Sequence, residues 1–75
     1  MLQRDLLCRR LRELREAHGF SYEQISKAVN KSIRQYKKYE NGSCIPNIPV
    51  LWILAELYDV PIDYIIGITD KKERH

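Results

Sequence analysis

The chain has 75 residues, 44% hydrophobic and 31% charged, with a formal net charge of +3 at pH 7. At that length one hydrophobic core forms, and only about 60% of the unfolded chain's surface is buried, so stability is modest. No apolar run of about 18 residues is present to span a membrane, and arginines interrupt the leucines of Met1 to Arg12 where a secretory signal needs an unbroken apolar stretch, so the expected location is cytoplasmic.

Cys8 and Cys44 have neither a Cys-x-x-Cys spacing nor a larger disulfide framework, so reduced thiols are expected. Cys8 and His18 cannot share a metal from one helix, because ten residues at a rise of about 1.5 Å separate them by roughly 15 Å. The expectation is no metal, no cofactor and no small-molecule ligand.

Leu7, Leu11, Leu14 and His18 recur at helical spacing and predict a first helix from Gln3 to Ala17, stopped by Gly19. Ser21 then caps a second helix, with Gln24 three residues on to return the bond and Phe20 and Ile25 placed as a hydrophobic staple. That helix carries Ile25 and Val29 on one edge and ends at Asn30, a residue type that accepts the left-handed backbone. Ser32-Ile33-Arg34-Gln35 repeats the capping pattern, so a third helix, Ile33 to Glu40, follows almost at once. Two short helices joined by a three-residue turn form a helix-turn-helix unit.

At about 100° per residue, Tyr36, Tyr39 and Glu40 share one side of the third helix, while Arg34 and Lys38 point the other way, flanked by Gln35 and Lys37. From Ser26 to Tyr39 the cations Lys27, Lys31, Arg34, Lys37 and Lys38 occur with no carboxylate among them. That local field suits a phosphate backbone; a solvated helical face is the plainer alternative.

Asn41-Gly42 ends the third helix. Asn47 caps a fourth, with Pro49 in its first turn, that runs to Tyr58. Leu51, Leu54, Ala55 and Tyr58 form its core stripe, yet Val50, Trp52, Ile53 and Leu57 make it apolar nearly all round, so burial on more than one side is expected. A fifth helix, Ile62 to Ile66, stops at Gly67. Residues 1–70 are read as one domain and 71–75 as a charged tail.

Leu11-Arg12-Glu13-Leu14-Arg15-Glu16 before a glycine, Tyr39-Glu40-Asn41-Gly42 followed by Pro46, and Val60-Pro61-Ile62-Asp63-Tyr64-Ile65-Ile66-Gly67 together resemble the Cro/lambda-repressor type of helix-turn-helix, also called the xenobiotic-response-element family. The resemblance covers Leu7 to Asp70. It implies an all-α, five-helix, lambda-repressor-like fold whose helix-turn-helix is formed by helices 2 and 3. Departures are Ser26 where the family usually has Ala, Asn30 for Gly, Lys31 for a buried Val, and Ser43, Cys44 and Ile45 where basic loop residues are common.

The function so implied is sequence-specific binding of double-stranded DNA by a transcriptional regulator, expected to be a repressor. Ile33, Arg34 and Lys38 are the base-contact candidates, Arg34 foremost because a guanidinium donates two bonds to guanine O6 and N7. Ile33 is placed to pack on a thymine methyl or simply at the helix entry. Ser21, Tyr22, Lys37 and Asn41 are the phosphate-contact candidates. Glu40, on the core side, requires a partner. The resemblance supplies Arg15.

A homodimer on a palindromic operator is expected, with Ile53, Leu57, Tyr64 and Ile68 as interface candidates and completion of a small core as their alternative role. No acid pair, phosphate loop or nucleophile–base spacing points to an enzyme. The competing reading is a protein-interaction module or antitoxin that keeps the fold with operator binding secondary or lost. With no sensing or peptidase segment expected after Gly67, an inducer is expected to act through a partner, through the basic tail, or not at all.

Overall fold

The computed structural model describes residues 4–73. Five helices follow in chain order, α1 (Arg4–Ala17), α2 (Tyr22–Ala28), α3 (Ile33–Asn41), α4 (Ile48–Tyr58) and α5 (Ile62–Ile65), with no strand among the described residues. The expected ends lie within a residue of these, except that the Gln3 start of the first helix, like Arg74 and His75 of the tail, falls outside the described residues.

Local backbone chemistry accounts for the boundaries. The Ser21 hydroxyl accepts from the Gln24 N–H at 3.1 Å while the Gln24 side chain accepts from the Ser21 N–H at 2.8 Å, a complete capping box. At α3 the Ser32 hydroxyl accepts from the Gln35 N–H at 3.0 Å, and at α4 the Asn47 side chain accepts from the Val50 N–H at 3.1 Å.

The turn between α2 and α3 closes through a left-handed Asn30 at φ 59°. Lys31 N–H donates to the Ser26 carbonyl at 2.9 Å and Asn30 N–H to the Lys27 carbonyl at 3.1 Å, which satisfies two orphaned helix-end acceptors. The same pair of bonds ends α4 around Asp59, at φ 54°, from Val60 to Ala55 and from Asp59 to Glu56. Sequence reading gave Asp59 no such role. Aspartate reaches this region less readily than glycine or asparagine, so composition alone carries little signal.

All five helices share one core. Leu7, Leu11 and Leu14 of α1 meet Ile25 of α2, Tyr36 and Tyr39 of α3, Leu51, Leu54 and Tyr58 of α4, and Tyr64 and Ile65 of α5. Each large side chain so buried contributes about 1.5–3 kcal/mol against chain entropy. Ser26 is buried where α2 is packed, and its hydroxyl donates to the Tyr22 carbonyl, so the small polar residue is satisfied.

His18, Phe20 and Tyr58 stack at the corner between α1 and α2, with the His18 and Tyr58 ring centroids 4.9 Å apart. Phe20 packs against the core there, in the position expected of a staple residue.

Arg10 is the unexpected core residue. Lying at i+3 from Leu7 and four residues before Leu14, it sits on the apolar stripe and is only 6% exposed. Its guanidinium lies 4.1 Å above the Tyr64 ring and donates to the Tyr64 carbonyl, to the Thr69 carbonyl at 2.7 Å and to Asp70 Oδ1 at 2.6 Å. One α1 side chain thereby straps down the end of α5.

Candidate nucleic-acid interface

Helix α3 has two unlike faces. Tyr36 and Tyr39 are buried, and their rings meet edge-on at 6.0 Å. Arg34 and Lys37 are exposed, Lys38 is half-buried, and Ile33 at the first turn is 42% exposed. Nine residues at about 1.5 Å rise make a rod of roughly 13 Å, commensurate with a major groove about 12 Å wide.

The inner face is fixed by charge as well as packing. Arg15 Nε donates to Glu40 Oε2 at 2.7 Å and a terminal nitrogen donates to Oε1 at 3.3 Å, with side-chain exposures of 11% and 6%. Another terminal nitrogen donates to the Phe20 carbonyl at 3.1 Å, so one guanidinium ties α1, the α1–α2 turn and α3. The hydrogen bond it donates to Glu40 holds the Arg15 pKa above its ordinary value, against the opposing pull of burial. Burial, with the Glu40 carboxylate second, pushes the Tyr36 phenol far above its usual range, and Tyr58 follows for the same two reasons.

Tyr22 lies between two cations. Arg15 Cζ is 4.2 Å from its ring centroid and Lys37 Nζ 4.9 Å. Ser21 is exposed beside it, with its hydroxyl engaged in the cap. Asn41, at the other end of α3, accepts the Ser43 N–H on Oδ1 at 2.9 Å. Tyr22, Lys37, Glu40 and Asn41 line one open cleft, and sequence reasoning missed the fifth residue on its wall, Arg12 of α1. The only signal was its place one turn before Arg15.

Other expected positions fare differently. Lys27 is paired with Glu23 at 3.3 Å across an exposed helical turn, so part of its positive field is offset. Of the dimer candidates, Ile53 (36%), Leu57 (37%) and Ile68 (57%) are exposed, as is Trp52 at 60%. Tyr64 is the correction. It is 6% exposed under the Arg10 guanidinium, so its ring is core and unavailable to a partner while that strap holds.

Cys8 and Cys44 are free thiols, the former pushed up in pKa by burial and, second, by Asp5. Among the described residues no group of three or more His, Cys, Asp or Glu side chains is arranged to hold a metal, and no helix is long and apolar enough to cross a membrane.

Comparison with known proteins agrees with this geometry. A family model described as helix-turn-helix matches residues 11–65, spanning α2 and α3 with their supporting helices. The chain belongs to this helix-turn-helix family, of the Cro and lambda-repressor type.

Among its relatives, the uncharacterized HTH-type transcriptional regulator YobD of Bacillus subtilis is 45% identical over 65 residues, 87% of this chain and 58% of that protein. A protein of Pyrococcus furiosus named as a putative HTH-type transcriptional regulatory protein is 36% identical over 53 residues, 71% of this chain and 17% of that one. A solved structure of a transcriptional regulator from Listeria innocua superposes with a TM-score of 0.80 at 28% identity, over 87% of this chain and 61% of that chain. The chain thus spans less than two thirds of each of these relatives.

Proposed function

We propose that this chain is a double-stranded DNA-binding module of a transcriptional regulator, non-enzymatic and cytoplasmic, that places α3 in the major groove of its operator. The observation that carries the reading is the exposed Arg34 and Lys37 on a helix whose opposite face is buried and locked by Arg15 and Glu40. A reading helix needs a rigid back and donors in front, because base discrimination depends on fixed geometry. Family membership and the regulators among its relatives support the same reading.

In this reading Arg34 makes the principal base contact, joined by Ile33 and Lys38. Ser21, Tyr22, Lys37 and Asn41 hold phosphates and set register without reading sequence. The module acts as a repressor, bound as a homodimer to a palindromic operator with half-sites roughly 34 Å apart, one turn of DNA. Ile53, Leu57 and Ile68 supply apolar surface for that dimer.

One observation favours a second reading, a protein-interaction module or antitoxin. The outer face of α4 presents Ile48, Trp52, Ile53 and Leu57 to solvent, an apolar surface of the kind that meets protein. Mobility-shift measurements with random-sequence duplex separate the two. The DNA-binding reading expects retention at low salt that weakens steeply as salt rises. Absence of any shifted complex at the lowest salt contradicts it and leaves the interaction module.

A further inference from the structure

We infer that the cleft between α1, α2 and α3 is a seat for a single DNA backbone phosphate, with Arg12 of α1 as a ligand that the helix-turn-helix unit itself does not supply. The inference rests on the proposed DNA-binding function and extends its footprint to the first helix.

The cleft has a volume of about 360 Å³ and is walled by Arg12, Tyr22, Lys37, Glu40 and Asn41. Its charge is what matters. Glu40 would repel an anion, but its carboxylate is held by Arg15 at 2.7 Å and is 6% exposed, so its charge is compensated within the protein. Arg12 and Lys37 then set the sign of the opening.

Arg12 is exposed and makes no hydrogen bond or ion pair among the described residues, although Glu16 stands one helical turn away. Lys37 rests over the Tyr22 ring at 4.9 Å, a contact that orients its ammonium without consuming its donors. Asn41 uses its carboxamide oxygen on the Ser43 N–H, which leaves its two amide hydrogens to donate. Guanidinium, ammonium and amide donors therefore surround one opening, with the Tyr22 hydroxyl able to donate beside them. An anionic oxygen pair satisfies that set, and a phosphodiester beside the reading helix is the source within reach.

Placement gives the seat a purpose. Arg34 projects from the first turn of α3, whereas Lys37 lies at its middle and Asn41 at its end, so a phosphate held beside them fixes how far the helix advances into the groove. Arg12, on a different helix, sets the tilt of α3 against the strand.

The test is a salt titration of duplex binding for the wild type, Arg12→Ala, Lys37→Ala and the double variant, with melting curves as a folding control, since both side chains are exposed. Arg12→Ala weakens binding about threefold to tenfold at low salt, and either single change flattens log K against log salt by about one unit for each chain bound. The double variant flattens it by that same amount, one phosphate's worth for each chain, because both cations serve the same group.

Neutral methylphosphonate scanned along the retained duplex locates that phosphate: at one position the wild type loses affinity and Arg12→Ala loses none further. A wild-type slope and affinity in Arg12→Ala overturn the assignment, as does twice the single-variant flattening in the double variant, and both leave the reading helix intact. Failure of the wild type to retain any duplex overturns the assignment together with the proposed function.

Discussion

Helices α3 and α4 treat their outer faces in opposite ways. Both bury large side chains inward, Tyr36 and Tyr39 on α3, Leu51, Leu54 and Tyr58 on α4. Outward, α3 shows Arg34 and Lys37, whereas α4 shows Ile48, Trp52, Ile53 and Leu57, with Glu56 as the one charged residue on that arc. A cationic face and an apolar face call for different partners, a polyanion and a protein. One small core thus carries two outward surfaces, and their separation is what makes the account breakable.

The inner side of α3 gives the largest expected effect. Glu40→Ala leaves Arg15 buried without its counter-charge and costs about 3–5 kcal/mol, read as a fall in melting temperature, while replacing both partners with apolar residues restores much of the loss. A melting curve for Glu40→Ala that coincides with the wild type contradicts the locking role.

Arg10→Met strips donors from the Tyr64 and Thr69 carbonyls and costs about 2–3 kcal/mol. Asp70→Ala costs about 0.5 kcal/mol or less, because that carboxylate is 94% exposed and its pairing is screened by solvent. Equal losses from the two variants would mean that the surface ion pair rather than the buried carbonyl contacts holds α5.

On the outer side of α4, Ile53→Glu changes stability by about 0.5 kcal/mol or less but converts a sedimenting dimer to monomer. An unchanged sedimentation coefficient removes that face from the interface.

The smallest effect at neutral pH comes from the phenols. The Tyr58 hydroxyl is buried without a hydrogen-bond partner among the described residues, so Tyr58→Phe is neutral or stabilising near pH 7. Alkaline pH exposes their contribution. Each group's folded pKa is raised above the ordinary 10.0, so the folded state keeps its proton after the unfolded chain has lost it. Stability is then complete below pH 10 and falls above it by about 1.4 kcal/mol per pH unit for each phenol. Urea titrations from pH 9 to 11 show a shallower decline for Tyr58→Phe; identical slopes contradict this burial-linked titration.

What the sequence discloses follows the range of the forces involved. Caps at Ser21, Ser32 and Asn47 and the left-handed turn at Asn30 depend on backbone bonds within a few residues, so helix ends were readable almost to the residue. The two faces of α3 follow from angular spacing alone. Arg15 and Glu40, 25 residues apart, were paired through family resemblance, since spacing says only that a buried carboxylate needs a partner.

Arg10 had no such help. Its acceptors lie 54 to 60 residues away and two are backbone carbonyls, which leave no mark in residue type. Which of its two expected roles Tyr64 takes, interface or core, was illegible for the same reason, because the side chain that covers it comes from the far end of the chain. Arg12 escaped notice because its significance lies in a cleft assembled from three helices.

Selection of binding sites from a random duplex pool, run in parallel for wild type and Arg34→Ala, tests the central claim most directly. The account predicts a two-fold symmetric consensus for the wild type, and for Arg34→Ala relaxed preference at one base pair per half-site, worth about 1–3 kcal/mol, with the rest intact. Identical selectivity profiles for the two proteins, or no enrichment with either, would contradict it.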